Sequence, residues 1–201
     1  MDPPEIDAWA AWHPREVAAR LAGCPVTWYV AGGWAIDLHL GAVTREHADT
    51  EIAMARTEFS LLRPHLAGFA LFRAVSGSLH PLADDEEPGR DGHQVWVCDP
   101  AVRMWRLDVF LEAGDAGTWV SHRDERIRRS MGEAVRRTAD GIPYLVPEFV
   151  LFAKAKHARD KDDADLSAVL PTLDTRARAW LAGALERSHP GHRWIDRVRP
   201  A

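Results

Sequence analysis

The sequence contains little cysteine and no long apolar run. Its 201 residues include 2 cysteines, Cys24 and Cys98, which lack C-x-x-C spacing. This usage indicates neither a disulfide framework nor a zinc site, and it favours a reducing, cytoplasmic compartment. No stretch approaches the ~18 consecutive apolar residues of a membrane span. Residues 1–9 lack the basic and apolar regions of a secretory signal.

Positive charge is scarcer than negative charge. The chain has 25 Lys and Arg residues against 30 Asp and Glu residues, a formal net charge of −5. General affinity for nucleic acid requires a basic surface, so this balance argues against a nucleic acid partner and suits a cationic small molecule. With 46% hydrophobic residues, the chain is expected to form one compact domain, alone or with a helical appendage.

A glycine pair follows a predicted strand in the first third of the chain. Residues 26–30 are β-branched and aromatic, which predicts a buried strand, and Gly32 and Gly33 interrupt it. Apolar positions between Trp34 and Leu40 then predict a helix. Glycines before a helix N-terminus allow backbone N–H groups to approach an anion closely. The segment therefore predicts an anion site.

Two carboxylates lie shortly after this helix. Asp49 and Glu51 are two residues apart in what we predict to be the second strand, which Ile52 and Met54 continue. Alternation along a strand places both side chains on one face, where they can hold one or two Mg²⁺ ions. Together with the glycine pair, this spacing indicates metal-dependent nucleotidyl transfer.

The run GGWAIDLHLG…TREHADTEI resembles the aminoglycoside 2″-nucleotidyltransferases and their lincosamide-modifying relatives, within the DNA polymerase β-like superfamily. The resemblance implies a third carboxylate on a later strand, matched by Asp108 within residues 105–110. It also implies a C-terminal signature, matched by residues 147–156 and then by Lys161, Asp162 and Asp165. The similarity covers about residues 28–166 in order.

Two positions depart from the wider pattern. Trp34 replaces the serine that is usual in the superfamily, as it does in the aminoglycoside-modifying subgroup. Glu51 replaces the aspartate that is usual in the close relatives and is one methylene longer. Because Mg²⁺ requires nearly octahedral geometry at roughly 2.0–2.1 Å, the strand or the rotamer must absorb the extra length.

The resemblance assigns roles to individual residues. Asp49 and Glu51 would bridge two Mg²⁺ ions, and Asp108 would act as a third metal ligand or as the general base. Gly32 and Gly33 would approach the nucleotide. Two positively charged side chains each have two possible roles. Arg45 either contacts phosphate or forms a surface ion pair, and Lys154 either contacts phosphate or is a surface lysine.

The expected fold is α/β or α+β. A mixed β-sheet nucleotidyltransferase core flanked by helices should occupy residues 1–140, and a helical C-terminal region should occupy residues 141–201. The pattern predicts helices at 8–21, 57–66, 147–159, 161–170 and 175–188. It also predicts a strand at 69–74, a loop at 83–92 and paired strands at 94–98 and 104–111.

These features predict a nucleotidyltransferase of the kind that causes antibiotic resistance. It would use Mg²⁺ to move a nucleoside monophosphate, AMP from ATP, onto a hydroxyl of a small molecule and release pyrophosphate. An aminoglycoside is the first acceptor considered. The alternatives are a lincosamide, a protein or RNA target as in toxin–antitoxin systems, or a degenerate nucleotide-binding module without activity. The sequence does not indicate an oligomeric state.

Overall fold

A computed structural model describes residues 1–200. The strands are β1 Trp28–Val30, β2 Glu51–Ala55, β3 Ala70–Val75, β4 Ser78–Leu82, β5 Gln94–Asp99, β6 Met104–Glu112, β7 Thr118–Val120, β8 Arg128–Ser130, β9 Val135–Arg137 and β10 Pro143–Leu145. The helices are α1 Pro14–Arg20, α2 Gly32–Leu40, α3 Phe59–Leu62, α4 Met131–Ala134, α5 Pro147–Ala155, α6 Asp160–Val169, α7 Thr175–Ser188 and α8 Ile195–Val198.

Eight strands form one mixed sheet in the order β4-β3-β5-β6-β2-β1-β10-β9. β2 pairs with β6 in parallel and with β1 in antiparallel orientation, and β10 lies parallel to the other edge of β1. β7 and β8 form a separate two-stranded sheet. The predicted α+β class, with a mixed sheet flanked by helices, is confirmed.

The predicted hairpin at residues 94–111 is present. β5 and β6 pair in antiparallel orientation, and a turn after Asp99 joins them. The predicted helix at 57–66 is also present, as α3 between two short 3₁₀ segments, Arg56–Glu58 and Arg63–Leu66. Pro64 lies in the first turn of the second segment. This hairpin matters for function because β6 carries Asp108.

The helix predicted over residues 8–21 is wrong in its first half. α1 begins only at Pro14, and the side chain of His13 caps it by accepting from Arg15 N. A residue that precedes proline is pushed out of helical geometry, so His13 is extended. The segment before it runs beside the sheet, where Trp9 forms a parallel bridge with Trp105.

The longer helices of the C-terminal half pack together and against α2. α5 has a buried face that includes Phe149, Leu151 and Phe152, and it packs against α2, α6 and α7. It ends at Ala155, four residues before the predicted end, and α6 follows after a short turn. Within residues 1–200, no helix has the length and apolar character needed to cross a membrane. α5 also carries Lys154, which lines the same cavity as Gly32 of α2.

Candidate active site

Glu51 and Asp108 are direct neighbours on adjacent parallel strands. Glu51 is the first residue of β2, and its Cα is in register with that of Asp108 on β6. Asp108 is only 3% exposed, and its Oδ2 accepts a hydrogen bond from Gln94 Nε2 at 2.7 Å. Its Oδ1 is buried without a hydrogen-bond partner among the described residues. A carboxyl group in this state requires a proton or a cation.

Burial raises the pKa values of both carboxyl groups of this pair. Burial, and after it the nearby charge of Asp49, raise the pKa of Glu51 to about 7. Burial also raises the pKa of Asp108 well above its ordinary value, with additional contributions from Glu51 and Asp49. Without a cation, therefore, the site resists full ionisation at neutral pH.

Asp49 lies outside the strand in which it was predicted. β2 begins at Glu51, and Asp49 belongs to the irregular segment before it. Its side chain is partly exposed. The expectation that Asp49 and Glu51 alternate along one strand is therefore incorrect. Asp49 approaches the site from the loop between α2 and β2, close enough for its charge to raise the pKa values of both neighbours.

Gly32 is in contact with Glu51. It is the first residue of α2 and has a left-handed φ of +59°. A β-carbon on Gly32 would overlap with Oε2 of Glu51. Ala31 N, one residue earlier, donates to the Glu51 carbonyl at 2.8 Å. The glycine is thus required by its backbone angle and by the carboxylate that lies against it.

Gly33 is closely approached by two other side chains. A β-carbon there would overlap with Arg45 Nη2 and lie 2.7 Å from His47 Nδ1. His47 Nε2 hydrogen-bonds Asp37 Oδ2 at 2.6 Å, and the His47 ring stacks on Trp34 at 4.4 Å. Asp37 also accepts from the Thr44 backbone and hydroxyl. This cluster fixes the loop that leads to Asp49.

Arg45 and Lys154 share one buried carboxylate. Asp165 on α6 is 2% exposed; its Oδ1 and Oδ2 accept from Arg45 Nε at 2.9 Å and Nη2 at 3.1 Å. Lys154 Nζ lies 3.1 Å from Asp165 Oδ2 and 2.9 Å from Asp162 Oδ1. Burial opposes ionisation of Asp165, but the Arg45 hydrogen bond and the Lys154 charge lower its pKa overall. Both predicted phosphate-binding cations are therefore held in ion pairs, and their contact with phosphate stays a prediction.

A cavity of about 360 Å³ begins at this site. Gly32, Glu51 and Lys154 line one part of it, and Ala53 and Phe110 form part of its apolar lining. Further polar side chains line it from β6, β7 and the loops around them, namely Glu112, Trp119, Ser121, His122 and Arg123. Of the site residues predicted from the sequence, Gly32, Glu51 and Lys154 line the first part of the cavity, whereas Gly33, Asp49 and Asp108 do not line it. The second part had no signal in the sequence.

The residues present fit a hard divalent cation by type. Glu51 and Asp108 provide adjacent oxygen ligands, and the buried Oδ1 of Asp108 lacks any partner among the described residues. Within residues 1–200, no three His, Cys, Asp or Glu side chains converge as a ready metal cluster. The metal-ligand roles of Asp49, Glu51 and Asp108 therefore stay predictions. The observation that supports them is the buried Oδ1 of Asp108, which has no hydrogen-bond partner among the described residues.

Residues 15–74 match the family model described as aminoglycoside-2″-adenylyltransferase. The matched segment contains Gly32, Gly33, Asp49 and Glu51, and it ends before Asp108 and Lys154. No curated protein matches the chain. The family match confirms the resemblance that the motif indicated.

Solved structures of two antibiotic-modifying enzymes resemble this chain. A solution structure of the antibiotic-resistance factor ANT(2″)-Ia has a TM-score of 0.57 and 14% identity, covering 86% of this chain and 89% of that one. A crystal structure of ANT(2″)-Ia with adenylyl-2″-tobramycin has a TM-score of 0.56 and 14% identity, covering 86% and 95%. The lincomycin-bound lincosamide adenylyltransferase LnuA has a TM-score of 0.53 and 17% identity, covering 77% and 92%.

These likenesses show that the chain has the fold of the nucleotidyltransferases. The matched family and LnuA are adenylyltransferases by their descriptions, and ANT(2″)-Ia was solved with an adenylylated tobramycin. That is the enzyme class that the sequence motifs predict.

Proposed function

We propose that this chain is a Mg²⁺-dependent adenylyltransferase that moves AMP from ATP onto a hydroxyl of an aminoglycoside-like small molecule and releases pyrophosphate. The observation that carries the proposal is the position of Glu51. It lies beside Asp108 across a parallel strand pair and against Gly32 at the start of α2. One side chain thus joins the carboxylate pair to the glycine turn.

The carboxylates would hold the metal. Asp49, Glu51 and Asp108 are the residues that would bind Mg²⁺, and the bound ion would neutralise the triphosphate and polarise its reacting phosphorus. Asp108 is either a ligand or the base that accepts the proton of the acceptor hydroxyl. Its raised pKa and its open Oδ1 are compatible with both roles.

The cations would position the triphosphate. Lys154 lines the cavity that contains Glu51, and the buried carboxylates of α6 hold its Nζ in place. A fixed cation costs little reorganisation when negative charge develops during phosphoryl transfer. Arg45 is held more rigidly by Asp165 and lies against Gly33, so it would act mainly by shaping the turn.

We infer the class of acceptor from the antibiotics that are bound in the similar structures. ANT(2″)-Ia was solved with adenylyl-2″-tobramycin and LnuA with lincomycin. The net charge of −5 favours a cationic sugar over the more nearly neutral lincosamide. We therefore place an aminoglycoside first and a lincosamide second.

The test is a transfer assay with the full chain. Labelled ATP and Mg²⁺ are mixed with a panel of aminoglycosides and lincosamides, and pyrophosphate and the modified acceptor are measured. We expect label on an aminoglycoside and one pyrophosphate per transfer. Label on a lincosamide, a protein or RNA would instead identify that molecule as the acceptor in place of the aminoglycoside. ATP binding without transfer to any acceptor would favour the non-catalytic nucleotide-binding module.

A further inference from the structure

The cavity continues well beyond the carboxylate pair. It follows the face of β2 and β6 from Glu51, past Ala53 and Phe110, to Glu112. Glu112 is four residues after Asp108 on the same strand, a separation of roughly 13 Å at the usual rise per residue. Val150 and Ala153 of α5 line it as well. The result is an apolar slot that runs from the proposed catalytic end to one carboxyl group.

A hydrogen bond from a buried tyrosine holds Glu112 in place. The hydroxyl of Tyr29, a fully buried residue of β1, donates to Oε2 of Glu112. This contact leaves Oε1 for a ligand. Burial raises the pKa of Glu112 to about 7, although the Tyr29 and Trp119 side chains act in the opposite direction. A side chain fixed by a buried tyrosine is suited to recognition, because little rotamer entropy is lost on binding.

A second polar group beside Glu112 lacks a partner. Trp119 is 3% exposed, stacks on Phe149 at 4.5 Å and lines the same cavity. Its Nε1 is buried beside the Glu112 carboxyl group and the Tyr29 hydroxyl, but it completes no hydrogen bond with either. A buried unpaired donor costs about 1–3 kcal/mol, so an acceptor supplied by a ligand would relieve that cost. The far end of the slot thus offers an acceptor on Glu112 and a donor on Trp119.

We infer that Glu112 and Trp119 recognise the base of the nucleotide, with Glu112 accepting from the exocyclic amine of adenine and Trp119 donating to a ring nitrogen beside it. This inference rests on the proposed function, because that function places the triphosphate at Glu51 and Lys154. A nucleoside attached there has the length and the flat apolar faces to fill the slot.

The lining favours a nucleobase over a polycationic acceptor. Lys154, Arg159 and Arg123 bring three positive charges to the cavity, in addition to two histidines. Glu51 and Asp162 are needed for the catalytic end and for the Lys154 ion pair, which leaves Glu112 alone to compensate an incoming ammonium group. The apolar walls of Ala53, Phe110 and Val150 suit a planar ring better.

The test compares two nucleotides that differ only in the amine. Binding of ATP and of purine riboside 5′-triphosphate, which lacks the amine, is measured calorimetrically on the full chain with Mg²⁺. We expect the wild type to prefer ATP by about tenfold, the scale of one hydrogen bond to a carboxyl group. In Glu112→Ala the preference should fall within about twofold. Glu112→Gln, which keeps a carbonyl acceptor, should retain most of it, and exposed Glu87→Ala should retain all of it.

Other outcomes would overturn the inference. Equal affinity of the wild type for the two nucleotides would remove Glu112 from base recognition, and tighter binding of GTP than of ATP would remove the adenine assignment. If Glu112→Ala raised KM for the acceptor and left ATP affinity unchanged, the slot would hold the acceptor. Tripolyphosphate serves as the reference ligand. Failure of every triphosphate, including tripolyphosphate, to bind the wild type would instead contradict the proposed function itself.

Discussion

The side chain of Glu51 occupies the space that a β-carbon on Gly32 would need. This relationship ties the first residue of β2 to the first residue of α2. It also shows how the long side chain of a glutamate is accommodated at this position, since it extends over a residue without a side chain. The glycine and the glutamate are therefore expected to behave as a unit.

Gly32→Ala tests this unit. The substitution introduces a clash with Glu51 and a left-handed alanine, so we expect a loss of at least ~100-fold in transfer and about 1–3 kcal/mol in the free energy of unfolding. Gly41→Ala is the matched control, since Gly41 has a φ of +70° but nothing within 4 Å of an added β-carbon. It should show only the backbone cost, about 1–2 kcal/mol, with transfer retained. Equal activity losses in the two variants would contradict the contact.

Glu51→Asp and Glu51→Gln separate length from charge. If Glu51 reaches the metal, the aspartate variant should keep or increase transfer, because it restores the ligand length of the close relatives. The glutamine variant should lose transfer, because it removes the charge. We also expect the wild type to accept Mn²⁺ at least as well as Mg²⁺, since Mn²⁺ tolerates a less regular coordination shell. A fully active Gln variant would exclude Glu51 as a ligand.

Asp108→Asn should lower transfer by at least ~100-fold while preserving volume, because it removes charge from a site built for cations. Asp49→Asn should have a similar effect. Asp85→Asn, in the exposed loop before β5, is the control and should transfer at the wild-type rate. A variant of Asp49 or Asp108 with near-wild-type turnover would remove that residue from the catalytic set.

Local signals predicted much of this arrangement. The strand and helix around Gly32 and the hairpin that carries Asp108 follow from periodicity and turn residues within a few positions. The family resemblance implied only that Asp108 is a third carboxylate on a later strand, and the register that sets it beside Glu51 was not predicted. The link between Tyr29 and Glu112 crosses three strands and depends on tertiary pairing, which no short sequence window contains. Asp49 was misplaced because alternation alone does not show where a strand begins.

Asp165→Asn tests how much the shared ion pair supports the fold. The substitution leaves Arg45 and Lys154 without a full charge opposite them in a largely buried position, so we expect the free energy of unfolding to fall by about 3–5 kcal/mol. Chemical denaturation measures the change. Asp160→Asn, at an exposed position of the same helix, should cost no more than about 1 kcal/mol. Similar losses in both variants would show that the pairs contribute little.

The buried carboxyls predict an unusual dependence of stability on pH. The folded-state pKa values of Glu51 and Glu112 are raised to about 7, mainly by burial, and that of Asp108 is raised as well. These groups bind more protons in the folded state than in the unfolded chain between about pH 4.5 and 7. Their stabilising contribution is therefore complete below the unfolded pKa and is lost as pH rises through the folded pKa. The metal-free chain should lose about 1–3 kcal/mol per group between pH 5 and 8.

Thermal melting in chelator at pH 5.5, 6.5, 7.5 and 8.5 measures this dependence, and Glu112→Gln should flatten the curve because it removes one titrating group. Mg²⁺ should raise Tm at pH 8 much more than at pH 5.5, because a cation binds the ionised carboxylates that protons leave. The Mg²⁺ effect should disappear in Asp108→Asn and persist in Glu112→Gln. A chain whose stability rises steadily from pH 5 to 8 in chelator would show that these carboxyls are not buried as described.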